Sequence, residues 1–275
     1  MMRYRNSSTD PATRDVQLHA IEVGHPDLGA LFDEGGPHAP MAFAVLDQRS
    51  PGRAFADDVH RPNLAIVQTR EGLAIVGRAT PRPFLDAALW TLRRDSMVGL
   101  VRSTKEGPEP QEAPAKRVER VDFAPLDPSA ESLARLRRSL PSPLRVVPLT
   151  RDLLERCQWR DVAAEAAGGV DAFIETGIGL CLMAGDEILS EAYAPFVGRR
   201  SAEVGVITAE GHRGSGLAAI AVAFLAERLA HRDLGLYWSC DSANTASIRV
   251  AEKLGLASPR PYAMLLYRAL PAVSG

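Results

Sequence analysis

A glycine-rich turn that leads into an apolar helix is the segment of this sequence with the clearest chemical meaning. The stretch EGHRGSGLAAIAVAF, residues 210–224, places three glycines and an arginine directly before small and apolar residues. Glycine lets backbone N–H groups come close to a ligand, and the N-terminus of a helix adds a partial positive charge. Such a stretch can bind phosphate or be no more than a turn, and its spacing distinguishes between three kinds of phosphate site.

The Walker kind requires GxxxxGK followed by Ser or Thr. Gly211 and Gly216 have this separation, but Leu217 and Ala218 follow them. Without the lysine and the hydroxyl, the chain would hold neither the terminal phosphates nor Mg²⁺. The sequence therefore excludes a Walker site.

The dinucleotide-binding kind is matched better, since Gly214, Gly216 and Ala219 spell GxGxxA and Asp241 ends the next strand. That fold places its first glycine at the end of the strand, whereas AEGHR separates VGVIT from Gly214 here. It also requires further parallel strands, and an antiparallel pattern precedes the loop in this chain. An NAD(P)-dependent oxidoreductase is therefore only a third hypothesis.

The third kind uses the arginine. Residues 213–218 form RxxGxA between a strand and an amphipathic helix, and NTASIRVAEKLGL follows after one further strand. Together they resemble the acetyl-CoA-binding signature of the GNAT superfamily of N-acetyltransferases, R/QxxGxG/A followed by an N…S/A…EKxGF segment. More narrowly, the chain is similar to the branch that includes the zwittermicin A resistance acetyltransferase. The similar stretches are GIGLCLM, AEVGVITAEGHRGSGLA, YWSCDSANTASIRVAEKLGL and, in the N-terminal half, GRAFADDVHRPNLAIV and GLAIVGRATPRPFLDAAL.

The resemblance implies a reaction and a site. Acetyl-CoA would give its acetyl group to a primary amine of a small molecule, which attacks the thioester directly. The strand before the loop would pair with the pantetheine arm, the loop would hold the pyrophosphate, and the start of the later helix would face the thiol end. The residues implied to bind acetyl-CoA are Val206, Ile207, Thr208, Arg213, Gly214, Ser215, Gly216, Leu217, Ala218, Ala219, Asn244 and Ser247.

Acetyl transfer also requires a base and an acid. Many members of the superfamily place a tyrosine acid in the later helix, where this chain has Ala251, so Tyr262 and Ser247 are the candidates for that role. Glu203, at the start of the strand before the loop, is the candidate base; an ion pair with one of the two preceding arginines would equally explain its presence. The alanine keeps open a second hypothesis, a catalytically inactive acetyl-CoA-binding sensor or interaction module.

These residues require a strand, a loop and a helix in that order. GLCLM, EILSEAY and AEVGVIT predict an antiparallel meander before the loop. The helix after the loop has a buried face that includes Leu217, Phe224 and Leu229, and LYWSC predicts the next strand. Asn244 is placed to cap the later helix and Gly255 to end it. YAMLLYRAL is the closing strand, and SAESLARLRRSL and RDLLERCQWRDVAAEAA each predict one helix.

The N-terminal half predicts a smaller α+β domain. MAFAVL, GRAFAD, NLAIVQT and GLAIVGRA have the length and apolar character of strands, and PRPFLDAALWTLRRDS has helical spacing. STKEGPEPQEAPAKR is an exposed loop near the boundary. We predict a divergent α+β domain over residues 1–120 and a GNAT-type domain over residues 121–275. The overall class is α/β (α+β), with a mixed, mostly antiparallel sheet flanked by helices.

Composition limits the partners. The 275 residues are 46% hydrophobic and 24% charged, with a net charge of -2 and no basic stripe, so we expect no nucleic-acid partner. The N-terminus MMRYRNSSTDPATRD has no apolar run after its charges, and no stretch has the length of a membrane span. The histidines and cysteines show no ligand spacing, so no metal is expected. We expect a cytoplasmic enzyme that acts on a small molecule, with a homodimer as an open alternative.

Overall fold

The computed structural model describes residues 18–94, 96–104, 107–124, 126 and 129–271. Two compact units divide them: the first contains the residues up to Val118 and from Ala263 on, and the second contains Glu119–Tyr262. The N-terminal stretch MMRYRNSSTDPATRD and, in the predicted exposed loop, Lys105 and Glu106 lie outside the described residues. The division into domains at residues 120 and 121 stays a prediction.

Short strands and helices alternate along the chain. The strands are β1 (His19–Ile21), β2 (Gly52–Ala56), β3 (Ala65–Thr69), β4 (Leu73–Val76), β5 (Val98–Arg102), β6 (Lys116–Asp122), β7 (Arg145–Pro148), β8 (Ile178–Ala184), β9 (Glu187–Val197), β10 (Ser201–Thr208), β11 (Gly235–Tyr237), β12 (Ser239–Asp241) and β13 (Arg260–Tyr267). The helices are α1 (Ala39–Leu46), α2 (Arg82–Leu92), α3 (Glu131–Arg138), α4 (Arg151–Leu154), α5 (Arg160–Ala167), α6 (Val170–Thr176), α7 (Leu217–Ala230) and α8 (Thr245–Leu254). Two 3-10 turns cover Gly29–Leu31 and Glu210–His212.

The sheet of the first unit is antiparallel except at one pair of strands. From β1 to β4 each strand pairs antiparallel with the next, and β5 then lies parallel to β4. Helix α2 connects these two parallel strands, as a parallel crossover requires. Its apolar side chains, among them Phe84, Leu85 and Leu92, are buried in the core of this unit.

The second unit repeats this arrangement. Strands β7 to β10 form an antiparallel sheet, and β11 lies parallel to β10 at its edge. Helix α7 connects β10 to β11, and most of its side chains are buried in the core, well beyond the predicted face; Phe224 is only half-buried. The predicted meander and the mixed, mostly antiparallel fold class are therefore confirmed.

Three predictions of single elements are wrong. MAFAVL is not a strand but part of α1, in which every residue is buried, so the segment lacks the polar face that reveals a helix in a sequence. RDLLERCQWRDVAAEAA divides into α4 and α5, because the Gln158 N–H donates to Glu191 Oε1 at 3.0 Å instead of continuing a helix. LYWSC divides at Trp238, since β11 pairs with β10 whereas β12 pairs with β6.

Candidate active site

Strand β10 parts from its parallel neighbour halfway along its length. The two strands pair only over Ser201–Glu203 and Gly235–Tyr237, after which the chain leaves to form β12. In the described part of the chain, the later half of β10 therefore has a strand partner on the β9 side alone. An open strand edge offers its N–H and C=O groups to an extended ligand. The predicted residues Val206, Ile207 and Thr208 lie on this open half.

The glycine loop after β10 presents a row of backbone donors. From Gly214 to Ala219, six consecutive N–H groups find no acceptor among the described residues. Gly214 and Gly216 have φ angles of 78° and 89°, a left-handed conformation that favours glycine. A β-carbon on Gly214 would meet no other atom within 4 Å, so the space in front of the loop is open. The loop thus has the free donors and the access that an anion requires.

The side chains of the loop differ in their surroundings. Arg213 is exposed and donates from Nε to the Thr208 carbonyl at 3.2 Å, which ties the loop to the end of β10. The Ser215 hydroxyl donates to the His212 carbonyl. Leu217 and Ala219 point into the core, with 4% and 1% of their surface exposed, so only their N–H groups can serve a ligand. Ala218 is half-buried, and its small size leaves the approach clear.

A lysine next to the loop was missed by sequence reasoning. The Nζ atom of Lys253, in the last turn of α8, lies 4.0 Å from the position that a β-carbon on Gly216 would occupy. An ammonium group at that distance adds a full positive charge to the partial charge of the helix N-terminus. Lys253 belongs to the quoted EKLGL stretch, but nothing in the sequence shows that this side of α8 faces the loop.

The start of α8 has the predicted cap. The Asn244 side chain accepts from the Ser247 N–H at 3.0 Å, and Gly255 ends the helix with a φ of 90°. The Ser247 hydroxyl oxygen accepts from the Trp238 indole N–H at 3.2 Å, so the hydroxyl proton is left to donate elsewhere. Ala251 is fully buried in the core, so its position contributes no acid.

The remaining candidates come together where β10 and β11 part. Glu203 is in the last residue pair of these strands, opposite Tyr237. The Tyr262 hydroxyl oxygen accepts from Arg120 Nε at 2.8 Å and shares a hydrogen bond of 2.7 Å with the Ser239 hydroxyl. Sequence reasoning missed Arg120 and Ser239, which are 142 and 23 residues from Tyr262 along the chain.

Electrostatics couples these groups. Burial raises the pKa of Tyr262 to about 12, and the charge of Glu203 adds to this, while Arg120 and Ser239 oppose it. For Arg120, burial acts to lower the pKa, but Tyr262 and Glu203 outweigh it and the pKa is raised. At neutral pH, Tyr262 is therefore a protonated phenol beside a permanent cation. Such a group can donate a proton to an anion that forms nearby.

Among the residues that the structure describes, no three His, Cys, Asp or Glu side chains are grouped as a metal site would require. None of their helices is long and apolar enough to cross a membrane.

Cys157 and Cys181 are distant in sequence, yet their Sγ atoms lie 3.7 Å apart as free thiols.

The open strand edge, the loop of unpartnered N–H groups and the helix N-terminus together have the features that an extended ligand with an anionic end requires. A coenzyme A thioester is such a ligand. The sequence model of the GNAT acetyltransferase family matches residues 30–265. The chain belongs to this family and is an N-acetyltransferase, and such enzymes use acetyl-CoA. The uncharacterized N-acetyltransferase YdfB of Bacillus subtilis (strain 168) is 26% identical over 252 residues, which are 86% of this chain and 94% of YdfB.

Solved structures share the fold. A GCN5-related N-acetyltransferase-like protein from Streptococcus suis has a TM-score of 0.60 at 20% identity, covering 84% of this chain and 93% of its own. A tandem GNAT protein from the clavulanic acid biosynthesis pathway has a TM-score of 0.54 at 16% identity, covering 93% and 100%. A putative GNAT acetyltransferase from Novosphingobium aromaticivorans has a TM-score of 0.54 at 21% identity, covering 78% and 92%.

Proposed function

We propose that this enzyme moves the acetyl group of acetyl-CoA to a primary amine of a small molecule, by direct attack of the amine on the thioester. The observation that carries the proposal is the row of six unpartnered N–H groups from Gly214 to Ala219, next to the open half of β10. A pyrophosphate offers several acceptor oxygens to such a row, and a pantetheine arm can pair with a strand edge.

The donor would lie along β10 and across the start of α7. Its pyrophosphate accepts from the loop N–H groups, with Lys253 as a further positive charge. Its pantetheine amides pair with the open half of β10, Val206–Thr208, through the backbone groups that point away from β9. The thiol end then comes towards Ser247 at the start of α8, where the Asn244 cap holds the first turn in place.

The acetyl transfer needs two proton movements. The amine gives a proton to Glu203, directly or through water, as its nitrogen bonds to the acetyl carbon. The oxyanion that forms accepts from a backbone N–H of β10. The carbon–sulfur bond then breaks, and the thiolate takes a proton from Tyr262 or Ser247. Tyr262 is favoured for this step because a phenol is a stronger acid than a serine hydroxyl, and because the cation of Arg120, 2.8 Å away, stabilises the phenolate that forms.

Three narrower expectations belong to this proposal: the relationship to the branch of the zwittermicin A resistance acetyltransferase, a cytoplasmic location and a homodimer. The stretches that resemble the branch lie in both halves of the chain, which supports the first. The homodimer is tested by sedimentation of the full chain, where twice the chain mass of 29.6 kDa is expected.

A thiol-release assay tests the function. The full chain is incubated with acetyl-CoA and a panel of amines that includes aminoglycosides, polyamines, amino acids and short peptides. We expect release of free thiol that depends on the amine and matches the amount of acetylated amine found by mass spectrometry. Tight binding of acetyl-CoA without amine-dependent release for any member would instead favour the catalytically inactive binding module. Stabilisation by NAD(P) and not by acetyl-CoA would favour the oxidoreductase.

A further inference from the structure

The first unit contains a cavity that the acetyl-transfer site does not use. Its volume is about 190 Å³, and it lies at the ends of the parallel strands β4 and β5. Its lining includes Val76, Thr80, Pro81, Arg102, Thr104 and Pro108. For comparison, a cavity of about 150 Å³ in another protein holds a benzene molecule. The space therefore suits a small organic molecule.

Arg102 gives this cavity its charge. Its Nη2 atom is buried and has no hydrogen-bond partner among the described residues. Burial lowers the pKa of Arg102, and the charge of Glu109 opposes the shift. The Arg102 side chain as a whole is half-buried, but its Nη2 N–H groups have lost water without gaining an acceptor, which costs free energy. An anion in the cavity would supply the missing acceptor.

The Arg102 guanidinium lies against Gly107, at the ends of β4 and β5. A β-carbon on Gly107 would stand 2.1 Å from Arg102 Nη1, so glycine at this position, where φ is 139°, leaves room for the guanidinium. Val76 and Arg102 are paired in register at the ends of β4 and β5, which fixes the base of the Arg102 side chain beside the cavity. The strand pairing thus places the base of the Arg102 side chain beside the cavity, and Gly107 leaves space for the charged group.

The surroundings of Arg102 favour an anion with a single charge. Glu109 lies near enough to act on the charge of Arg102, but it is itself paired with Arg117 at 2.6 Å. Arg102 therefore leaves one positive charge to be balanced, which matches a ligand with one negative charge. The helix α2 next to the cavity begins with Pro81 as its cap and has a further proline, Pro83, in its first turn. Prolines carry no N–H, so a phosphate would find few backbone donors there.

We infer that this cavity binds a small organic carboxylate. The carboxylate accepts from the Arg102 guanidinium, whose fork geometry fits two oxygens. The apolar part of the ligand packs against Val76, Pro81 and Pro108, and the volume suits a body of about the size of a benzene ring. No covalent step is involved, and the site is independent of the proposed function.

Titration calorimetry and thermal unfolding of the full chain test this, with benzoate, butyrate and inorganic phosphate as probes. We expect benzoate and butyrate to bind and to raise Tm, and phosphate to do neither. In Arg102→Met, which keeps the apolar stem, the Kd of benzoate should rise by about tenfold or more, because a charged hydrogen bond is lost. Arg102→Lys should bind with intermediate affinity, since it keeps the charge without the fork.

A matched control is Arg70→Met. Arg70 is exposed and lies in the turn between β3 and β4, at the other end of β4 from the cavity. This variant should bind benzoate as the wild type does. Without a ligand, Arg102→Met should unfold at the wild-type Tm or above it, since a half-buried cation whose Nη2 has no hydrogen-bond acceptor among the described residues has been removed. Undiminished benzoate binding by Arg102→Met, or binding of phosphate in preference to both carboxylates, would overturn the inference.

Discussion

The two units build the same strand–loop–helix turn from different residues. In each, antiparallel strands lead to a loop, a helix and a parallel strand, as β4–α2–β5 in the first unit and β10–α7–β11 in the second. The second loop has Gly214 and Gly216 with open N–H groups around them, whereas in the first unit Pro81 caps α2 and Pro83 lies in the first turn of that helix. The topology is thus common to both, and only the second loop supplies the donors that a pyrophosphate needs.

The strands differ as well. In the first unit, β4 pairs with β5 along its whole length, from Leu73 to Val76, so the edge that faces β5 is closed. In the second unit, the corresponding pairing of β10 ends at Glu203 and leaves five residues open. A pantetheine arm can therefore add to β10 but not to β4. The two units therefore differ in both features on which the proposed acetyl-CoA site depends, the open half of β10 and the donor loop.

The largest effect is expected when the donor loop is blocked. Gly214→Glu places a carboxylate among the free N–H groups, at a φ that disfavours any side chain. Acetyl-CoA affinity should fall by about a thousandfold, as expected if two charge-assisted hydrogen bonds are lost. Calorimetry measures this directly. Gly211→Glu is the matched control, because a side chain at position 211 meets no atom within 4 Å and the residue precedes the donor row.

The control should lose little affinity, about threefold at moderate salt, because an exposed charge is screened. If both glutamates reduced the affinity equally, the loss would come from the added charge alone. The difference between the loops of the two units would then not explain acetyl-CoA binding.

A smaller effect is expected at the parting of β10 and β11. Tyr262→Phe removes the proposed acid, and kcat should fall by about a hundredfold, the lower end for general acid catalysis. The Kd of acetyl-CoA should stay unchanged. Because the pKa of Tyr262 is raised to about 12, its ionisation should not limit the rate at neutral or mildly alkaline pH. A pH–rate profile of both proteins checks this, and an unchanged kcat would transfer the role to Ser247.

Lys253 should contribute less than the backbone donors. Lys253→Met should weaken acetyl-CoA binding by about tenfold at low salt, and by less as salt rises, since the lysine is exposed. Lys116→Met, at an exposed position in β6, serves as the control. A loss that is equal at all salt concentrations would argue against an electrostatic role.

The smallest effect is expected in the first unit. Arg102→Met should change acetyl-CoA affinity by about twofold or less, because the acetyl-CoA site does not include Arg102. The same calorimetric titration measures it. A loss comparable to that of Lys253→Met would show that the first unit takes part in holding the donor.

The parts of the site that sequence could predict are those that local chemistry decides. Glycines before an apolar helix specify the loop, and Asn244 and Gly255 mark the ends of α8, because caps and left-handed turns depend on a few neighbouring residues. The meander was predicted for the same reason, from the alternation of strands and turn residues. The sequence therefore sufficed for the glycine turn before α7, for the meander of β8, β9 and β10 and for the ends of α8.

The parts that sequence could not predict depend on distant partners. Trp238 interrupts LYWSC because β11 and β12 pair with different strands, which no local pattern shows. Arg120 reaches Tyr262 across 142 residues, and Lys253 reaches the loop only through the packing of α8. The helix α1 was mistaken for a strand because it is buried on every side. Burial and pairing in three dimensions decided each of these cases.

Hydrogen–deuterium exchange of the full chain, with and without acetyl-CoA, tests the central claim most directly. The account predicts that acetyl-CoA slows exchange in peptides that cover Gly214–Ala219 and the end of β10, while peptides that cover Gly77–Pro83 in the first unit exchange as before. Protection of residues 77–83, or unchanged exchange at residues 214–219 under saturating acetyl-CoA, would contradict it.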